Sequence, residues 1–161
     1  MILVGSQAIH GSMENPPKEL TKSNEVDLWI PNDPGRTELV EALFGRESQF
    51  EITHGYHADA VSPDTARLPR GWWDRHATII LTDEETGEMI DAVCPDVSDL
   101  AVSKLCAGRP KDYDFVSVLL RENLLLLDTL RERLKELDGQ DRLKLERSIH
   151  YFSDGRSFLP Q

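Results

Sequence analysis

Ile2-Leu3-Val4 is a short apolar run closed by Gly5-Ser6, the pattern of a buried strand ending in a turn, and Gln7-Ala8-Ile9-His10 then starts a helix. Residues 11–24 are polar and Pro-containing, which predicts a loop. Val26, Leu28 and Ile30 alternate with Glu25, Asp27 and Trp29, the two-residue period of a strand, so both carboxylates project from one face. Asp33-Pro34 supplies a cap and a first helical residue, Leu39, Val40, Leu43 and Phe44 an apolar side, and Gly45 a stop. A strand is expected around residues 50–53, then a loop through Pro63, Pro69 and Gly71. Two strands at about 77–82 and 88–94 follow, joined by the turn Glu84-Glu85-Thr86-Gly87.

Beyond Pro95 the period changes from strand to helix. One helix is predicted from about 96 to 107, where Gly108 and Pro110 break it, and a second from 110 toward 120. Leu127, Leu130, Leu134 and Leu137 form an amphipathic stripe, and a last helix of about 140–151 follows Gly139. The expected architecture is α+β: a mixed core over residues 1–95, and a helical part over 96–161 packed on it as one structural unit.

At 161 residues the chain is long enough for a real core without disulfide or zinc staples. Cys94 and Cys106 fit no metal spacing and read as reduced core residues. No apolar run reaches the roughly 18 residues of a membrane span, and the apolar start is too short for a signal peptide, so a cytoplasmic protein is expected. The net charge of −11 weighs against a protein that mainly coats nucleic acid. The deficit is uneven: residues 51–100 carry 11 acids and 3 bases, whereas residues 101–161 carry 10 and 11. The basic residues Arg131, Arg133, Lys135, Arg142, Lys144 and Arg147 are therefore where RNA would land.

Gly5-Ser6 at a strand end lets backbone N–H groups and a hydroxyl approach phosphate oxygens, because glycine has no side chain in the way. Glu25 and Asp27, two residues apart on a strand, converge on one point, as oxygen-liking Mg²⁺ requires. Together they describe a metal–triphosphate site. Asp91, between Met89 and Val93 on an expected strand, reads either as a third carboxylate or as a surface acid on an edge strand. Lys104 falls on the apolar stripe of its helix, where it either pairs with an acid or points inward to phosphate. Asp112 faces inward or caps its helix, with Arg109 and Lys111 beside it to hold phosphate or RNA. His54 and His57, with Asp59 close by, lack further ligands in an expected loop and argue only weakly for a transition metal.

The runs Val4-Gly5-Ser6-Gln7-Ala8-Ile9-His10-Gly11 and Ser23-Asn24-Glu25-Val26-Asp27-Leu28 resemble the Gly-Ser…[Asp/Glu]-x-Asp signature of the nucleotidyltransferase superfamily that includes DNA polymerase beta. Asp99-Leu100-Ala101-Val102-Ser103-Lys104-Leu105, Ala107-Gly108-Arg109 and Lys111-Asp112 are similar to bacterial nucleotidyltransferase-like proteins grouped with the AbiEii toxins. The resemblance spans roughly residues 3–121 and implies a nucleotidyltransferase-type mixed sheet with flanking helices. It implies that Gly5 and Ser6 hold the phosphates of an NTP, that Glu25 and Asp27 bind two Mg²⁺ ions, and that Lys104 and Asp112 complete the site. The implied reaction moves a nucleoside monophosphate onto a hydroxyl, of RNA or tRNA first and of protein second; Asp91, placed by the strand pattern alone, is the candidate base or third metal ligand. A toxin role and a cognate antitoxin partner belong to the same expectation, whereas the leucine stripe at 127–137 offers a face for a partner or, in a homodimer, for a second copy of the chain. The competing reading is a nucleotide-binding or protein-interaction module without catalysis.

Overall fold

The computed structural model describes residues 1–139 together with Arg142, Leu145, Ile149 and Phe152, so the expected helix of about 140–151 falls mostly outside the described residues. Two compact units emerge: residues 1–65 with 76–95, and residues 66–75 with those from Asp96 onward.

The first unit carries a five-stranded sheet. Its strands are β1 (Ile2–Val4), β2 (Glu25–Trp29), β3 (His57–Ala60), β4 (Ala77–Thr82) and β5 (Met89–Cys94), in the order β3-β2-β1-β5-β4. β1 pairs antiparallel with β2 and parallel with β5, β2 pairs parallel with β3, and β4–β5 is an antiparallel hairpin, so the sheet is mixed. In the hairpin turn the Asp83 carboxylate accepts the N–H groups of Glu85 and Thr86, which holds its carboxyl below the usual range.

Three helices belong to this unit: α1 (Ile9–Ser12), α2 (Pro34–Phe44) and α3 (Gln49–His54). Asp33 caps α2 by accepting the Arg36 N–H, as the sequence indicates. The apolar side of α2 is nevertheless open, with Leu39 55% and Leu43 51% exposed. One tie to the sheet is the Glu41 carboxylate, which accepts the Ala60 N–H at 2.6 Å. On the other side, a Cβ added at Gly11 of α1 would overlap Cys94 of β5. That close packing buries the Cys94 thiol and pushes it up to about 11.

Two expectations are corrected. Residues 50–53 are not a strand but the middle of α3, because Ser48 accepts the Glu51 N–H at one end and Gly55, at φ +79°, stops the helix at the other. Phe50 then stacks near His54, one turn on, and edge-on to Phe44 and Tyr56, which an extended segment would not permit. The expected loop after it opens instead with β3, which places His57 and Asp59 on a strand.

Among the described residues, the second unit contains α4 (Val97–Ala107), α5 (Pro110–Arg121), α6 (Leu127–Lys135) and the segment 66–75. Leu100, Val102, Leu105, Val116, Leu119, Leu130 and Leu134 form its core. Asp96 caps α4 and Gly108 ends it in the left-handed region, both legible in the sequence. Arg75 spans the fully buried Asp99 with two hydrogen bonds of 3.0 and 2.7 Å and reaches Glu136 at 2.8 Å. On α6, Arg131, Arg133 and Lys135 each meet an acid three residues away: Asp128, Glu136 and Glu132. The positive charge that Arg131, Arg133 and Lys135 contribute to the expected RNA surface is therefore balanced along this helix; Lys144 and Arg147 lie outside the described residues. Among the described residues, no helix is long and apolar enough to cross a membrane.

Candidate active site

Alternation puts Glu25 and Asp27 on one face of β2, and the strand register adds to it. Val4 lies level with Asp27 on one side; on the other, His57 pairs with Glu25 and Asp59 with Asp27. Partners in register share a face, so Glu25, Asp27, His57 and Asp59 form one polar patch on two parallel strands about 4.8 Å apart. One donor atom from each of Glu25, His57 and Asp59 lies within 4.8 Å of the others.

Gly5 closes this patch at the end of β1. Its φ of +70° is in the left-handed region, and a Cβ there would strike the Asp27 carboxylate. The turn and the acid are thus built against each other. Gln7 ties the turn to the chain entering β2, donating to Thr21 O at 3.3 Å and Ser23 O at 2.5 Å, and Ser23 Oγ accepts the Glu25 N–H. Beside it, Gln7, Ser23, Asn24, Val26, His54, Gly55 and Tyr56 line a cleft of about 350 Å³. Gly5→Ala is expected to cost about 1–2 kcal/mol from backbone strain alone and to displace Asp27. Thermal unfolding would register the first effect, and a weakened divalent-cation titration the second.

Arg46, 63% exposed, places its guanidinium 3.7 Å from both Glu25 Oε2 and Asp59 Oδ2. A cation already rests between two of the carboxylates, which marks the negative potential of the patch. His57 is 5% exposed, with Nδ1 2.6 Å from Glu51 Oε1 and Nε2 3.6 Å from Asp59 Oδ1, yet neither nitrogen has the alignment of a hydrogen bond. Glu51 also accepts the Glu47 N–H at 2.6 Å; that bond, with His57 beside it, keeps its carboxyl below the usual range.

Of the other residues singled out from sequence, Asp91 belongs to the same sheet, and Lys104, Arg109 and Asp112 belong to the helical unit. Asp91 is exposed on β5. Val93 is level with Ile2, and Val4 with Asp27, so Asp91 sits four residues further along the sheet and two strands away. That offset is about 13 Å along the strands alone, too far to share an ion with Asp27. Lys104, Arg109 and Asp112 come together in the helical unit. The buried Lys104 Nζ is 3.6 Å from Asp112 Oδ1 and 5.4 Å above the Phe115 ring, and Arg109 donates to Asp112 from its backbone at 3.1 Å and its side chain at 2.8 Å. Asp112 thereby both faces inward and closes the first turn of α5.

Sequence reasoning missed Asp59, His57 and Arg46 as parts of the patch. The signals for the first two were Gly55, which ends α3, and the alternation His57-Ala58-Asp59-Ala60 after it. Arg46 had no local signal.

A family model described as nucleotidyltransferase of unknown function (DUF6036) matches residues 1–152 of the chain. Comparison with curated proteins and with solved structures gives no match.

Proposed function

From a chain that belongs to this family of nucleotidyltransferases of unknown function, we propose that it transfers a nucleoside monophosphate from an NTP to an acceptor hydroxyl, using divalent cations held by Glu25, Asp27 and Asp59. The observation that carries this reading is the juxtaposition of three carboxylates on adjacent strands with a left-handed glycine turn pressed against one of them. Glu25 and Asp59 bring donor oxygens within 4.8 Å of each other, and Asp27 stands in register beside Asp59. The Arg46 guanidinium partly offsets this negative charge, and the same oxygen donors would equally suit a hard divalent ion. Asp59 takes the place first given to Asp91. Bound there, the cations would supply the positive charge that offsets charge developing on the α-phosphate and the leaving group.

The chain's own groups do the rest. Backbone N–H groups of the Gly5-Ser6 turn and the Ser6 hydroxyl hold the terminal phosphates. The exposed Tyr56 ring, at the cleft beside Gln7 and Asn24, offers a stacking surface for the base. The acceptor oxygen bonds to the α-phosphorus while the bond from that phosphorus to pyrophosphate breaks. The hydroxyl proton passes to Asp59, and pyrophosphate leaves. Positioning supplies much of the rate.

The acceptor proposed first is an RNA end and the second a protein hydroxyl, following the resemblance to toxin-like nucleotidyltransferases. A toxin role with an antitoxin partner belongs to the same proposal. Incubation with each labelled NTP, a divalent cation and either RNA or cell protein tests it, and label is expected on one acceptor from one preferred NTP. NTP binding without transfer to any acceptor would support the non-catalytic module instead.

A further inference from the structure

We infer that His57 is a direct nitrogen ligand of the cation held by Glu25 and Asp59, and that the site therefore takes Mn²⁺ in preference to Mg²⁺; this rests on the reading of the carboxylate patch as a metal site. Four observations carry it.

First, His57 is more than nine-tenths buried, and its register partner is Glu25. Its ring nitrogens have no aligned hydrogen bond among the described residues. Buried ring nitrogens that face carboxylates without an aligned hydrogen bond ask for an explanation. Second, Nε2 faces Asp59 at 3.6 Å, and the donor atoms of Glu25, His57 and Asp59 cluster within 4.8 Å. An imidazole lone pair beside a carboxylate is repelled unless a proton or a metal cation sits between them, and with Glu51 on Nδ1 the open Nε2 lone pair suits the cation. Third, Glu51 stands 2.6 Å from Nδ1 and is itself held, its other oxygen accepting the Glu47 N–H and its own N–H bonding Ser48 Oγ. A carboxylate on one imidazole nitrogen is the arrangement that orients a metal-binding histidine through the other. Fourth, the exposed Arg46 already rests against Glu25 and Asp59, and its side chain is free to swing aside when an ion enters.

The choice of ion follows from the donor set. Mg²⁺ favours oxygen donors alone, whereas imidazole suits transition ions. Two carboxylates together with the oxygens of a triphosphate favour an octahedral ion over tetrahedral Zn²⁺. Mn²⁺ satisfies both demands.

The test uses the full chain with MnCl₂ or MgCl₂ alone as probe. Calorimetry is expected to show Mn²⁺ bound about 10-fold or more tightly than Mg²⁺, and pulsed EPR of bound Mn²⁺ to show coupling to a ¹⁴N nucleus. His57→Gln should remove that coupling and bring the two affinities within about 3-fold of each other. Bound Mn²⁺ without nitrogen coupling, or an unchanged affinity ratio in His57→Gln, overturns the inference. Should His57→Gln fail to fold by circular dichroism, the spectrum of the unmodified protein decides alone. Equal Mn²⁺ and Mg²⁺ affinities with nucleotidyl transfer intact would overturn the histidine ligand and leave the proposed activity standing. Nitrogen-coupled Mn²⁺ without transfer from any NTP would support the ligand and overturn the activity.

Discussion

Asp27→Asn is expected to abolish nucleotidyl transfer, lowering its rate about 10³-fold. Asn preserves the size and shape of the side chain but removes the charge that binds the cation. Metal stabilisation of a transferring phosphoryl group is worth several kcal/mol, and about 1.4 kcal/mol is a tenfold change in rate. The variant is expected to stay folded, because Asp27 lies in register beside Asp59 with Glu25 on the same face and the substitution removes part of the like-charge repulsion. Label transfer from NTP would measure the first effect and thermal unfolding the second. Asp59→Asn is expected to fall alongside Asp27→Asn, while Asp91→Asn keeps the parent rate. Full transfer in Asp27→Asn, or loss only in Asp91→Asn, would refute the assignment of the carboxylates.

Arg75→Met is expected to be the most destabilising change in the helical unit, by about 3–5 kcal/mol, since it strips the partner from a fully buried carboxylate. At about 2–4 °C per kcal/mol for a chain of this size, the midpoint should fall by roughly 10 °C. Arg133, 4.0 Å from Asp99, is too far to replace the two-pronged contact. The loss should depend on pH. Burial raises the Asp99 carboxyl above its ordinary range, with the Arg75 bonds opposing that rise. A carboxyl raised in the folded state contributes most stability below its unfolded value of about 3.9 and loses that contribution as pH rises through the folded value. Without Arg75 the folded value climbs further. Arg75→Met should therefore be markedly closer to the parent at pH 5 than at pH 8, and denaturant titrations at the two values would show it. An equal loss at both would mean that Asp99 is not the charge Arg75 compensates.

Much of the helical layout was legible because its signals are local. Asp33-Pro34, Asp96, Gly108 and Pro110 act on backbone groups within four residues, and each starts or stops a helix where its chemistry requires. Residues 50–53 misled because Phe, Ile and Thr favour strands, whereas the caps at Ser48 and Gly55 decide the outcome. The exposed leucines of α2 show a related limit: an apolar stripe states what a helix can bury, not what lies against it.

The site divides along the same line. Sequence alone determined that Glu25 and Asp27 share a face and that a glycine turn ends β1, since two-residue alternation and glycine's freedom are properties of a few neighbouring residues. Tertiary structure alone decided that the turn presses on Asp27, that Asp59 rather than Asp91 stands beside it, and that His57 is buried against Glu25. Strand order and register bring together positions about thirty residues apart in the chain. Hydrogen-bonded pairing across a sheet sets those neighbours, and no local pattern encodes it.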